Sequence, residues 1–334
     1  MATKRRSVLQ FAGAVLFAPR IALGQAPRIH RVGFVATTSP LGEISGPDPV
    51  NPFVRAFVHG LRELGYVEGK NLALDMRSLE GKPERLPGFM TDFVRLNTEV
   101  VFLPTSVLVP PAHQAAPSMP IVGLVNPSHL VRAGLAQSHG RPGGMITGVS
   151  VDVDELVDAK RLELLLELVP RAKRIAYLGQ REEWERPYVA NMRATAQRLG
   201  RTVVHIESGQ GDFASAFSRL KEERADAFMV ERTPRAYGRR RDIGRLSLSS
   251  GLPGSCAQAE LVELGCLMSY SPDNNDLARR VSVYVDKILK GTKPGDLPIE
   301  APTKFELVIN AHTARALGLT IPQALRLRTE RVIE

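Results

Sequence analysis

Small polar side chains stand just behind several short apolar runs of this chain. Thr37 and Thr38 follow Arg31–Ala36, Thr105 and Ser106 follow Val100–Leu103, and Asn126 follows Ile121–Val125. Farther along, Gln180 follows Arg174–Leu178, Thr233 follows Ala227–Val230, and Gln258 sits within Ala257–Glu260. Hydroxyls and carboxamides both donate and accept hydrogen bonds. In an open α/β sheet such groups collect at the carboxyl ends of the strands, where helix amino ends also present unpaired N–H groups. The chemistry this offers is reversible capture of a small polar solute, and helix amino ends favour an anionic group such as a carboxylate.

Signatures of turnover are missing by comparison. There is no GxxxxGK[ST], no GxGxxG behind the first apolar run, no HExxH and no GxSxG. Gly209-Gln210-Gly211 lacks a third glycine. The seven histidines, among them His129 and His139, stand at no metal-ligand spacing to one another. Asp152, Asp154 and Glu155 read as the acidic start of a helix rather than a catalytic pair. No catalytic residue, metal or cofactor is therefore expected, and an enzyme is not expected. Cys256 and Cys266 are the only cysteines and form no CxxC. They read as two small buried residues, with a bridge between them geometrically open.

The elements that must carry these residues alternate. Strand-like runs at 31–36, 72–76, 100–103 and 121–125 are separated by helical spacing at 53–64 and 85–96 and a short helix at 112–116. The alternation restarts with strands at 174–178, 202–206 and 227–230, helices at 188–199, 213–223 and 239–249, and a strand at 266–270. A helix at 277–289, a strand at 305–309 and a short helix at 311–317 follow. Two successive βαβ series imply two parallel-sheet lobes. Arg141–Gly148, with three glycines and a proline, reads as the turn or crossover between them.

The chain has 334 residues, 43% hydrophobic and 24% charged, a globular balance with room for two cores. Its net charge of +9 is spread along the chain and interleaved with acids, so no nucleic-acid surface is expected. Lys4, Arg5 and Arg6 lead into an apolar run, and Ala22-Leu23-Gly24 supplies the small residues of a cleavage site. Residues 1–24 thus read as a signal peptide, whose Arg5-Arg6 pair resembles a twin-arginine signal. The apolar run is too short to span a bilayer, and the exported chain is not expected to be membrane-embedded.

Ordered blocks over nearly the whole of residues 25–334 resemble the ABC-transporter substrate-binding proteins of the tryptophan- and tyrosine-type uptake group. They are Leu61–Asn71 (LRELGYVEGKN), Pro83–Pro87, Arg141–Gly144 with Ile146–Val149, and Tyr284–Gly291 through Lys304–Asn310 to Ala316–Pro322. The resemblance implies a type I periplasmic-binding fold: two doubly wound parallel-sheet lobes joined by a hinge that the chain crosses three times. It divides the chain into lobe 1 (27–147 plus about 271–299) and lobe 2 (148–270 plus about 300–334). It implies a monomer in the periplasm that closes on a small organic ligand, an amino acid or carboxylate, and delivers it to an ABC permease with its ATPase. The alternative is a sensor that presents its closed form to a receptor.

Ser106 matches a hydroxyl of the family's Gly-Thr-Pro loop, with Thr105 in place of the glycine. Asn126-Pro127 stands where the family often has Asp-Pro, and a neutral amide holds a ligand ammonium less well than a carboxylate. Arg232 and Arg235 are candidates for an anionic ligand group, whereas Arg239, Arg240 and Arg241 read as a solvated helix face. Trp184, Tyr188, Tyr237 and Tyr270 are open between stacking on a ligand and packing.

Overall fold

The computed structural model describes residues 28–150, 156–209 and 212–334. Residues 1–24, read above as a signal peptide, and the acidic group Asp152, Asp154 and Glu155 lie outside the described residues.

The first half alternates strand and helix. It runs β1 (His30–Ala36), α1 (Leu41–Ile44), α2 (Pro52–Glu63), β2 (Leu72–Ser78), α3 (Leu86–Arg95) and β3 (Val100–Leu103). Next come α4 (Val109–Ala115), β4 (Ile121–Val125), α5 (Pro127–Arg132) and β5 (Ile146–Ser150). The strands form one parallel sheet in the order β2-β1-β3-β4-β5. Every residue of β3 and β4 is buried, because helices cover both faces of a parallel sheet; hence their unbroken apolar sequence. Asn51 starts α2 by accepting from the N–H groups of Phe53 and Val54, and Pro52 fills the first turn, where no N–H is needed.

The second series runs α6 (Val157–Leu168), β6 (Arg174–Gly179), α7 (Arg181–Trp184), α8 (Pro187–Arg198), β7 (Thr202–Glu207) and α9 (Phe213–Glu222). It continues with β8 (Ala227–Val230), α10 (Pro234–Gly238), α11 (Arg240–Ser250), β9 (Gly254–Cys256), α12 (Ala259–Glu263) and β10 (Met268–Pro272). After α13 (Asn274–Leu289) come β11 (Phe305–Asn310), α14 (Ala311–Ala316), α15 (Gln323–Arg326) and β12 (Arg331–Ile333). The sheet order is β12-β11-β10-β9-β8-β6-β7. One pair departs from parallel: β10 and β11 run antiparallel, since the chain returns from α13 at the end of the sheet where β10 left it.

Helix α13 interrupts the second series to pack on the first unit. Its Leu277, Val281 and Val285 share a core with Phe34, Phe57 and Phe102. Ser282 Oγ donates to the Phe57 carbonyl at 2.9 Å, and Tyr66 Oη donates to Asp286 at 2.9 Å. Gly60 permits the approach, because a Cβ there would lie 2.6 Å from Ser282 Oγ. The chain then runs past β5, where Ser150 N–H donates to the Glu300 carbonyl at 2.7 Å, before entering β11. Three passages therefore link the two sheets: after β5, between β10 and α13, and between residues 300 and 305.

Two sequence expectations change. The glycine-rich stretch 141–148 is not the connection itself but leads into β5, the edge strand of the first sheet. Gly148 lies opposite Gly123 at φ +152°, and a Cβ on it would fall 1.9 Å from the Gly123 oxygen. The glycines serve a close strand approach. The reading of Cys256 and Cys266 as separate buried thiols is also corrected, since they form a disulfide with Cα atoms 6.2 Å apart. Cys256 ends β9, and Cys266 stands two residues before β10, the parallel neighbour of β9. The pairing of these strands brings the two cysteines together.

Candidate functional site

Both sheets change winding direction once. In the first, β1 is followed by β2 on one side and β3 on the other; in the second, β6 is followed by β7 on one side and β8 on the other. Crevices for ligands open at the carboxyl ends of such strand pairs. The first crevice carries Thr37 and Thr38 behind β1, and Thr105 and Ser106 behind β3. The second carries Gln180 behind β6 and Thr233 behind β8. Asn126 and Gln258 sit one strand away in each sheet, behind β4 and β9.

The two crevices meet. A Cβ on Gly238, at the end of α10, would lie 3.3 Å from the Thr38 side chain. Arg240 Nη2 pairs with Glu43 Oε2 of α1 at 3.1 Å. The Tyr237 hydroxyl lies within reach of the Asn51 side chain, and burial pushes its pKa up. The Arg240 guanidinium stacks 4.8 Å from the Tyr237 ring centre. Loops from both units thus form the two walls of one cleft.

Several proposed ligand contacts also serve the scaffold. Ser106 Oγ accepts from Asn126 N–H at 2.8 Å, tying the β3 and β4 loops together. Asn126 caps α5 by accepting from His129 N–H at 2.7 Å. Thr233 caps α10 through Ala236 N–H at 3.1 Å. Gln180 and Thr105 stand at helix starts without capping them by side chain. The Thr37 carbonyl accepts from Gly81 N–H at 2.8 Å, fixing the β1 loop.

Glu231 was not singled out as a site residue from sequence, yet it organises the second crevice. Fully buried, it accepts from Gln180 N–H at 2.7 Å and from Thr233 Oγ1 at 2.9 Å, and it pairs with Arg235. Arg235 also donates to Ser208 Oγ at 2.9 Å and to the Gly209 carbonyl. Arg235 is therefore spent on the scaffold, and its candidacy for an anionic ligand is withdrawn. No local sequence pattern marks Glu231; in the fold Gly179 leaves it room, since a Cβ there would lie 3.0 Å from Glu231 Oε2.

The aromatic candidates divide. Trp184 stacks on His205 at 5.0 Å and carries Arg193 at 4.5 Å from its ring centre. Tyr188 bonds Glu183 and lies under Arg232 at 5.6 Å, and Tyr270 stacks on Phe305 at 5.7 Å. These three are packing residues, while Tyr237 stands at the meeting of the two units. On the cleft side, a cavity of about 350 Å³ is lined by His129, Arg132, Ala133 and Arg186. A cavity of about 410 Å³, lined in part by Arg171, Asp226 and Pro253, lies at the amino ends of β6, β8 and β9, away from the crevices. Among the described residues, no three His, Cys, Asp or Glu side chains gather as a metal site, and no helix is long and apolar enough to cross a membrane.

Comparison with known proteins agrees with this architecture. A tyrosine-binding protein of Clostridioides difficile (strain R20291) is 23% identical over 267 residues, covering 79% of this chain and 76% of that protein. The crystal structure of a Streptococcus pneumoniae ABC domain in complex with L-Trp superposes with a TM-score of 0.77 at 22% identity, covering 91% of this chain and all of that one (100%). A conserved domain protein from Vibrio cholerae gives 0.75 at 23% identity, with coverage of 91% and 100%. These likenesses establish the type I binding-protein fold. The family model for ABC transporter substrate binding proteins matches residues 44–333, and with two α/β units meeting at their strand ends, the chain belongs to that family.

Proposed function

We propose that this protein captures a small organic solute, an amino acid, between its two lobes and delivers it to an ABC permease with its ATPase. The lobes are taken as 27–147 with about 271–299 and 148–270 with about 300–334, the changeovers falling within a few residues of the ends of β5 and β10. The observation that carries the reading is the meeting of the β1 and β8 loops through Thr38–Gly238 and Glu43–Arg240. A solute held there touches Thr37, Thr38, Thr105, Ser106 and Asn126 from one side and Gln180, Thr233 and Gln258 from the other. A ligand bound to both lobes stabilises their closed arrangement. The amino-acid assignment draws support from the names of the similar proteins, one tyrosine-binding and one in complex with L-Trp. The acting form is an exported periplasmic monomer beginning at Gln25, freed of its signal peptide.

Thermal unfolding against amino acids, aromatic acids, dicarboxylates and nucleosides tests the capture step. A ligand at ~100 times its dissociation constant adds about 2.7 kcal/mol, a readily measured shift. Amino acids are expected to raise the melting temperature and nucleosides to leave it alone. No shift with any member of the panel would remove the reading. Delivery is tested by ligand-dependent stimulation of the cognate permease's ATPase in proteoliposomes.

A further inference from the structure

The proposed contacts on the first lobe, Thr37, Thr38, Thr105, Ser106 and Asn126, are all neutral. The second presents hydrogen-bond acceptors that have found no donor. Gln258 Oε1 and Glu260 Oε2, at the start of α12 behind β9, are both sealed from solvent, and neither has a hydrogen-bond partner. Ser271 Oγ, at the cleft end of β10, is likewise sealed and unpartnered.

The cations nearest Glu260 are engaged elsewhere. Arg331 pairs with Glu263 at 2.6 Å, and Arg240 pairs with Glu43 at 3.1 Å. Glu306, opposite Ser271 in the β10–β11 register, adds a second carboxylate to the same wall. Lys304, close by in sequence, pairs with Asp276 at 3.1 Å. A buried acceptor without a donor is costly, and a buried carboxylate without a counter-ion more so. Burial, the largest influence, pushes the Glu260 carboxyl up, although its own backbone N–H, Arg331 and Arg240 pull the other way. A protein retains such a cost where a ligand relieves it.

A protonated amine brings three N–H donors and a positive charge and has no acceptor of its own. It complements a carboxamide oxygen and a carboxylate side by side. We infer that Gln258 and Glu260 form the subsite for the protonated amine of the captured solute, an inference that rests on the solute-capture reading above. This wall supplies the negative charge that the first lobe lacks at Asn126.

The test is isothermal titration of the full chain, wild type and variants, with L-tyrosine, tyramine and 4-hydroxyphenylpropionate. The first two carry the amine and the third lacks it. Wild type is expected to bind tyrosine and tyramine. Glu260→Gln should weaken both roughly tenfold or more while changing 4-hydroxyphenylpropionate less than about twofold. The melting temperature of Glu260→Gln should equal or exceed that of wild type, because an unpaired buried charge is gone. Gln258→Leu, which keeps the charge and removes the amide oxygen, should weaken the two amines in the same direction. Tyramine affinity unchanged in both variants, or binding of the amine-free acid alone, would overturn the subsite and leave solute capture standing. Silence from all three probes would overturn the subsite together with the amino-acid reading.

Discussion

Removing the Glu43–Arg240 bridge should shift the balance between open and closed lobes. The pair is 3.1 Å long, with side chains only 25% and 18% exposed, so solvent screens it less than a surface pair. A fully exposed pair contributes up to ~1 kcal/mol, and a charge-assisted hydrogen bond in a partly buried setting about 1.5–3. Taking ~1.5 kcal/mol, loss of the bridge changes the open-to-closed ratio by about tenfold. The cation–π contact of Arg240 with Tyr237 adds ~0.5–1 kcal/mol, lost only when the arginine is replaced. Glu43→Gln and Arg240→Gln are the variants of choice, as both keep side-chain length.

Small-angle scattering of the unliganded protein should show a larger radius of gyration in either variant. Titration with L-tryptophan should give a dissociation constant weakened by about tenfold, because the ligand must then supply the closure energy itself. The double variant should be no worse than Arg240→Gln, giving a coupling of ~1–1.5 kcal/mol in a double-mutant cycle. Additive effects with coupling below ~0.3 kcal/mol, or unchanged scattering and affinity, would show that the bridge does not hold the lobes.

Other outcomes follow from the same structure. Replacing Cys256 and Cys266 with serine should cost about 3 kcal/mol in urea unfolding, the closure entropy of a loop of this size, and reductant should have the same effect on wild type. Glu231→Ala should cost ~3–5 kcal/mol by stranding Arg235 in the crevice, with the loss read from the midpoint of thermal unfolding. Burial, the largest influence, pushes the Glu306 carboxyl up to about 7 from 4.5. Between pH 4.5 and 7 the folded form therefore holds a proton that the unfolded form releases, and stability falls as pH rises through this window. Because the group is half-exposed, screening reduces the loss to ~1–2 kcal/mol. Glu306→Gln should flatten that slope when unfolding is compared at pH 5 and pH 8. Gly148→Ala should fail to fold or lose several degrees of melting temperature, since its methyl group meets the Gly123 carbonyl.

The alternating architecture was legible because buried parallel strands such as Val100–Leu103 and Ile121–Val125 are apolar without interruption. Short elements were not. The strand Gly254–Cys256 has three residues, too few for any period, and the strand Arg331–Ile333 sits at a sheet edge with polar neighbours. At the site, sequence placed polar residues behind strands but not the partners they choose. Asn126 was read as a ligand contact, and its oxygen caps α5. Arg235 was read as a candidate for an anionic ligand group, and it holds Glu231. Such commitments depend on which loops become neighbours, a property of the folded chain and not of any local pattern.

The return of α13 to the first unit bears on synthesis. Residues 28–150 emerge first, yet the helix that covers their core against Phe57 is 274–289. The second sheet in turn lacks β11 until residue 310 has left the ribosome. Neither half can complete its core while most of the chain is being made, so a nascent polypeptide remains open and threadable until late in translation. That delay lengthens the interval in which the unfinished chain exposes apolar surface and must be kept from aggregating.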